Sequence, residues 1–236
     1  MFTLRPSEER GHFDFGWMDT RHSFSFGDYY DPAHMGFHSL RVINEDVIQP
    51  GQGFGVHPHR DMEIFTWVLS GALQHQDSLG HSGIIRPGEA QRMSAGQGIR
   101  HSEFNASAEA PVHLLQIWLS PNQMGVEPDY EQVAFPDKAL KNQLTIVASP
   151  EGREGSASWH QDAILSISRL DAGAVVETAL DPKRYAWIQV AHGEIRLDSE
   201  STRLSLKAGD GAAIQHEPSL RIQALSASEI LLFDLP

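Results

Sequence analysis

Two stretches of this chain carry the same strand-turn-strand phase. WVLSGALQ around Gly71 is answered by QVAHGEIR around Gly193, and RPGEA at Gly88 by KAGDG at Gly209, with Gly-to-Gly intervals of 17 and 16 residues. Identity between the two is low, but apolar runs broken by turn glycines recur at matching steps. A repeat of this kind is what two related β-barrels in tandem leave in a sequence. The chain has 236 residues, room for two domains of about a hundred each. We place the first over 1–125, a linker over 126–143 and the second over 144–236, with terminal strands open to exchange between them. Residues 121–142 contain Pro121, Pro128 and Pro136 and little apolar periodicity, which reads as linker with one short helix near Asp137 to Asn142. The expected fold is all-β, two antiparallel barrels with few short helices.

Within the first repeat, histidines stand where alternation gathers them. Residues 53–63 read GFGVHPHRDME. On a strand, alternate side chains share a face, so His57 and His59 point together. Residues 96–105 read GQGIRHSEFN, and the same rule pairs His101 with Glu103. Each pair follows a glycine-rich turn, with a strand-turn-strand between them, so the chain can return on itself. Imidazole and carboxylate donors without thiolate suit iron, zinc, copper, nickel or manganese.

The repeat also indicates where this chemistry is absent. Steps equal to those from His57 and His59 to Gly71, counted back from Gly193, reach Ala179 and Asp181. Steps equal to those from Gly88 to His101 and Glu103, counted on from Gly209, reach Ile222 and Ala224. The second domain is therefore expected to hold no metal and to cover or brace; its His160, His192 and His216 lack an alternating partner. In the first domain, His22, His34 and His38 read as structural, His75 and His81 as exposed on a hairpin, and His113 as a satisfied core histidine. Phe54, Met93, Phe104 and Trp118 are candidates to wall a pocket.

Composition narrows the classes of partner. Acidic residues outnumber basic ones 31 to 18, for a formal charge of −13, which opposes direct nucleic-acid binding. With no cysteine, disulfides and thiolate sites are excluded, and a reducing compartment is compatible. The opening MFTLRPSEERGHF has charges where a signal peptide needs an apolar run, and no segment reaches bilayer-spanning length. The expectation is a cytoplasmic protein with no membrane association.

HPHRDMEIFTWVLSG and MSAGQGIRHSEFN resemble the pirin family of the cupin superfamily, in particular the bacterial pirin-like quercetinases. Gly51, His57, His59, Glu63 and Gly71 match the first cupin motif, and Pro87, Gly88, His101 and Asn105 the second. MGFHSLRVINEDVI at 35–48 and LLFDLP at 231–236 also fit, so the likeness spans essentially the whole chain. The resemblance implies a bicupin holding one divalent cation through His57, His59, His101 and Glu103. It implies iron first, with zinc, manganese, nickel, cobalt or copper as alternatives. Glu63, four residues beyond His59 on the same strand face, would then support a ligand ring by accepting its N–H. The implied activity is a metal-dependent dioxygenase cleaving flavonols such as quercetin with O2 and releasing carbon monoxide, with Glu103 as the base. The alternatives are a metal- or redox-responsive regulator that binds protein partners, as eukaryotic pirins are regarded, and a non-oxidative isomerase.

Overall fold

At Gly71 and Gly193 the backbone turns with φ of +80° and +81°. A Cβ at Gly71 would lie 2.7 Å from the Pro111 carbonyl oxygen, and one at Gly193 closer still to that of Ala227. Only glycine tolerates both the left-handed backbone and the close approach. The two turns hold the same place in two barrels, as the sequence phasing predicts.

The computed structural model describes residues 1–199 and 202–236. Strand accounts for 57% of the chain and helix for 4%, so the fold is all-β, as expected. One unit comprises Gly11–Phe135 and Pro150–Gln161; the other comprises Met1–Arg10, Pro136–Ser149 and Asp162–Pro236. The first strand, β1 (Phe2–Arg5), belongs to the second unit. The first unit carries β2 (Gly11–Asp14), β3 (Met18–His22), β4 (Leu40–Ile48), β5 (Gly53–His59), β6 (Glu63–Ser70), β7 (Leu73–Asp77), β8 (Ser82–Ile85), β9 (Glu89–Ser94), β10 (Ile99–Asn105), β11 (Val112–Leu119), β12 (Asp129–Ala134) and the short β14 (Ala157–Ser158). The second adds α1 (Asp137–Leu140), β13 (Thr145–Ser149), β15 (Ile164–Leu170), β16 (Val175–Ala179), β17 (Tyr185–His192), β18 (Glu194–Asp198), β19 (Arg203–Lys207), β20 (Gly211–Gln215), β21 (Ser219–Ala224) and β22 (Ser228–Leu235).

Strand order repeats between the units. The first has a large sheet β12-β9-β6-β11-β4-β3-β2 and a smaller one β5-β10-β7-β8; the second runs β1-β20-β17-β22-β15-β13 and β16-β21-β18-β19. Burial follows the sequence in both. The apolar runs EIFTWVLS of β6 and YAWIQVAH of β17 are buried along nearly their whole length, as central strands are. LQHQD of β7 alternates buried and exposed, as a strand with one wet face does. The second core gathers Ile188, Val190, Ile195, Leu197, Ile222 and Ile230 among others.

Three expectations need correction. The stretch expected to be linker from 126 includes β12, which pairs with β9 from Asp129↔Ser94 to Ala134↔Glu89. Its edge position explains its polar composition, because an edge strand needs few apolar side chains. The first ten residues join the second unit through β1 on β20, with Phe2 opposite Ile214 and packed on that core. His160, assigned from sequence to the second half, lies in the first unit.

Candidate metal centre

β5 and β10 pair antiparallel, with His101 opposite His57 and Ile99 opposite His59. Between His101 and Glu103 the register slips, so that Glu103 meets Phe54. The bulge leaves an extra residue on β5 and lets Phe54, an odd number of residues before His57, line the same cavity as both histidines. At the same crossing Gly53 lies against the Glu103 carbonyl, where any Cβ would overlap it.

The three rings converge. Centroids lie 4.8 Å apart for His57–His59, 4.4 Å for His57–His101 and 4.8 Å for His59–His101. Their donor atoms lie within 4.8 Å of one another, the spacing of a cluster able to hold a metal ion. Glu103 lines the same cavity, of about 270 Å³, with Phe26, Phe54, Ile64 and Trp118 as apolar walls. His57 Nδ1 lies 2.8 Å from the Gly55 carbonyl oxygen. That hydrogen bond puts the proton on Nδ1 and leaves Nε2 with its lone pair. The His101 Nε2 and Glu103 Oε1 atoms are buried without a hydrogen-bond partner. Buried polar atoms are rarely left so, and these two, a nitrogen lone pair and a carboxylate oxygen beside two further imidazoles, fit a divalent cation.

Burial, then the neighbouring His57, lowers His59 to about 4. Burial, then His57, His59 and His75, lowers His101 to about 2. Both rings are neutral near pH 7, the form that ligates. Glu103 moves the opposite way, raised to about 7 by burial and by the Asp46 carboxylate. Its Oε2 accepts a 2.6 Å hydrogen bond from Gln116 Nε2, and Gln116 in turn accepts from Thr66 Oγ1 at 3.2 Å.

A second cluster, His75, His101 and Glu103, shares two of these groups. His75 is fully buried, contrary to the exposed position expected for it. Its Nδ1 lies 3.3 Å from His101 Nδ1 and 3.4 Å from Gln91 Nε2, its Nε2 3.5 Å from Asp77 Oδ2. Both ring nitrogens are engaged and His75 does not line the cavity, which places it to orient His101. His101 donates Nδ1–H to His75, which donates Nε2–H to Asp77, and Asp77 also accepts from His81 Nδ1 at 2.9 Å. Burial alone would raise the Asp77 carboxyl, but hydrogen bonds from the His81 ring and the His81 and Leu79 backbone outweigh it and lower it. Tyr130 stacks on both His75 and His81. The signal for His75 was present in LQHQD, where Leu73, His75 and Asp77 alternate with two glutamines and so face inward together. Supporting partners of ligating histidines typically contribute 10–100-fold to metal affinity. His75→Phe is expected to weaken metal binding by about that factor with the fold retained, measured by metal titration beside circular dichroism; wild-type affinity would remove His75 from this role.

Other expectations fare unevenly. Glu63 does not support a ligand ring. Residues 60–62, with Asp61 at φ +47°, turn the chain between β5 and β6, so Glu63 starts a new strand in the other sheet. There it accepts 2.7 Å from Ser94 Oγ and lies 3.4 Å from His160 Nδ1. Phe54 and Trp118 wall the cavity, Trp118 with its ring centroid 4.9 Å from that of His59 in an edge-to-face contact. Met93 instead packs in a core cluster with Ile64, Ala95 and Ile99. Phe104, between the inward His101 and Asn105, alternates outward and is exposed. His113 meets Glu45 at 3.0 Å and is half-buried. Asn44, Asp46 and Gln116, which line the cavity, were not singled out from sequence, since their polar side chains in β4 and β11 carry no local motif.

In the second barrel the matching ladder positions hold apolar residues. Ile222 pairs with Val176 and Leu197, and Ala224 with Ile195, where the first barrel pairs His101 with His57 and Asp77, and Glu103 with His75. All five residues of the second set lie in its hydrophobic core. A longer β16–β17 connection shifts the ladder partner to Val176 from the Ala179 reached by counting.

Two antiparallel barrels, one with three imidazoles and a carboxylate turned into an apolar cavity, define a bicupin. Residues 3–119 match the Pirin family and residues 146–235 the quercetinase C-terminal cupin domain. Over 238 residues, covering 100% of this chain and 99% of the relative, it is 49% identical to quercetin 2,3-dioxygenase of Escherichia coli strain K12. The chain belongs to the pirin family. A crystal structure of the Escherichia coli bacterial pirin YhhW in complex with nickel(II) matches with a TM-score of 0.93 at 47% identity, covering 100% of this chain and 99% of that one. A putative quercetin 2,3-dioxygenase of Pasteurella multocida is 45% identical with 100% of both chains covered.

Proposed function

We propose that this protein is a metal-dependent oxidoreductase of the pirin-like quercetinase type that opens flavonols such as quercetin with O2 and releases carbon monoxide. The observation that carries the proposal is the unsatisfied Glu103 Oε1 and His101 Nε2 on the wall of an aromatic-lined cavity. In this reading His57, His59, His101 and Glu103 hold one divalent cation, iron first among the candidates. When bound there, the cation supplies Lewis acidity toward an enolic hydroxyl and a route for oxygen chemistry.

The protein's own groups do the rest. Phe54, Phe26 and Trp118 exclude water and hold a flat ring system edge-on to the histidines. Gly55 and His75 fix the His57 and His101 tautomers, so neither ring turns during a cycle. Glu103, held at Oε2 by Gln116, presents Oε1 to the cavity, and on swinging off the cation that oxygen takes the 3-hydroxyl proton. Both atoms of O2 end in the ester product, and the former C3 leaves as carbon monoxide after two carbon–carbon bonds break.

The test is oxygen uptake with carbon monoxide detection, using metal-quantified protein, quercetin and a metal-free control. Carbon monoxide formed only by loaded protein is the expected result. No oxygen consumption with iron, manganese, nickel, cobalt or copper in turn would overturn it in favour of a metal-responsive binding protein.

A further inference from the structure

Beside the histidine cavity lies a second, of about 150 Å³, sharing Phe26, Asn44, Asp46 and Phe54 as common walls. Phe13 and the solvent-exposed Phe15 also line it, their rings stacked at 5.9 Å. That volume is what a single benzene ring occupies in a buried apolar cavity. Unlike a purely apolar void, this one has a polar rim on the shared wall. Asn44 is 5% exposed, and its Oδ1 is buried with no hydrogen-bond partner. Asp46, two residues on along β4 and so on the same face, adds a carboxylate beside it and is 3% exposed.

We infer that this annex is a subsite for a hydroxylated aromatic ring, with Asn44 as the specificity-determining residue. The inference rests on the flavonol reading above for its full ligand: a flavonol is a chelating bicyclic enol joined to a separate aryl ring, and two adjoining cavities of unequal size match that division. The aromatic walls accept any six-membered ring. An unfilled buried acceptor with a carboxylate at its side favours a ring that brings O–H donors, because a bare phenyl leaves the Asn44 amide desolvated and unpaired. Sites built to bond a hydroxyl discriminate strongly against ligands that lack it.

Two ligand pairs test the subsite and the flavonol reading separately. The first is 4-fluorophenol against fluorobenzene, followed by 19F NMR with metal-quantified full-length protein. The phenol is expected to bind about tenfold more tightly, Asn44→Leu to erase the difference, and Phe13→Ala, which alters the annex alone, to weaken the phenol. The second is 3,4'-dihydroxyflavone against 3-hydroxyflavone under anaerobic conditions, with the same expected preference lost in Asn44→Leu. Equal affinity for phenol and benzene, or a preference untouched by Asn44→Leu, overturns the subsite. So does a phenol affinity unchanged in Phe13→Ala, which puts the ring in the histidine cavity. Fluorophenol binding that depends on Asn44 while neither flavonol binds supports the subsite and removes the flavonol reading. Both flavonols binding equally, with no effect of Asn44→Leu, retains the flavonol reading and removes the subsite.

Discussion

His101→Ala is expected to lose its metal, with affinity down by at least about 100-fold, while His216→Ala binds as wild type does. The His101 ring neighbours both other imidazoles of the centre, His57 and His59, at ring distances of 4.4 and 4.8 Å, and the supporting His75 through Nδ1 at 3.3 Å. It is also the histidine common to both clusters that can hold a metal. Removing it deletes a donor and leaves His75 Nδ1 without the N–H it accepts, so the loss exceeds the 10–100-fold of a supporting partner. His216 is an exposed residue at φ +58° between β20 and β21, far down the chain and outside either cluster. Equilibrium titration with nickel(II), beside metal content by mass spectrometry, reads the difference directly. Equal loss in both variants would sink the assignment of the centre to the first barrel.

What could be read without coordinates were the features encoded by local period. Alternation placed His57 with His59 and His101 with Glu103, and turn glycines at Gly71 and Gly193 marked the barrel repeat. The part that could not be read depends on partners distant in sequence. The alternation of LQHQD turns His75 inward, but that the ring it meets is His101's is decided by the β7–β10 pairing, between residues 26 apart in sequence. Glu63 failed for a local reason: alternation holds only along one strand, and the turn at residues 60–62 ends β5 at His59 and begins β6 at Glu63. Phe104 and Met93 fail as pocket walls for related reasons. The first alternates outward on β10, and the second belongs to a strand whose inward face packs on Ile64 and Ile99.

The pH dependence of metal binding is expected to include a one-proton contribution from Glu103 that is lost in Glu103→Gln. In the metal-free protein the Glu103 carboxyl is raised from 4.5 to about 7, while His59 and His101 lie at about 4 and about 2. Between pH 5 and 7, then, a cation entering the centre displaces a proton from Glu103, whereas these two rings offer their nitrogens already free. Each pH unit below 7 lowers affinity about tenfold, about 100-fold by pH 5, with a plateau above 7. The same shift acts on folding with the opposite sign. Between 4.5 and 7 the folded metal-free protein holds a proton on Glu103 that the unfolded chain has lost, so its stabilisation is present below 4.5 and lost as pH rises through 7. The loss is on the order of 3 kcal/mol. Glu103→Gln keeps the Gln116 contact in shape but cannot ionise. It is therefore expected to bind nickel(II) more weakly than wild type at pH 8, to show a profile shallower than wild type by about tenfold per unit from pH 5 to 7, and in the metal-free form to unfold above pH 7 at higher denaturant than wild type. Turnover should fall further than binding, because the variant also lacks the base. A wild-type affinity that is flat across pH 5–7, or a Gln variant with the same slope, would take Glu103 out of the ligand set.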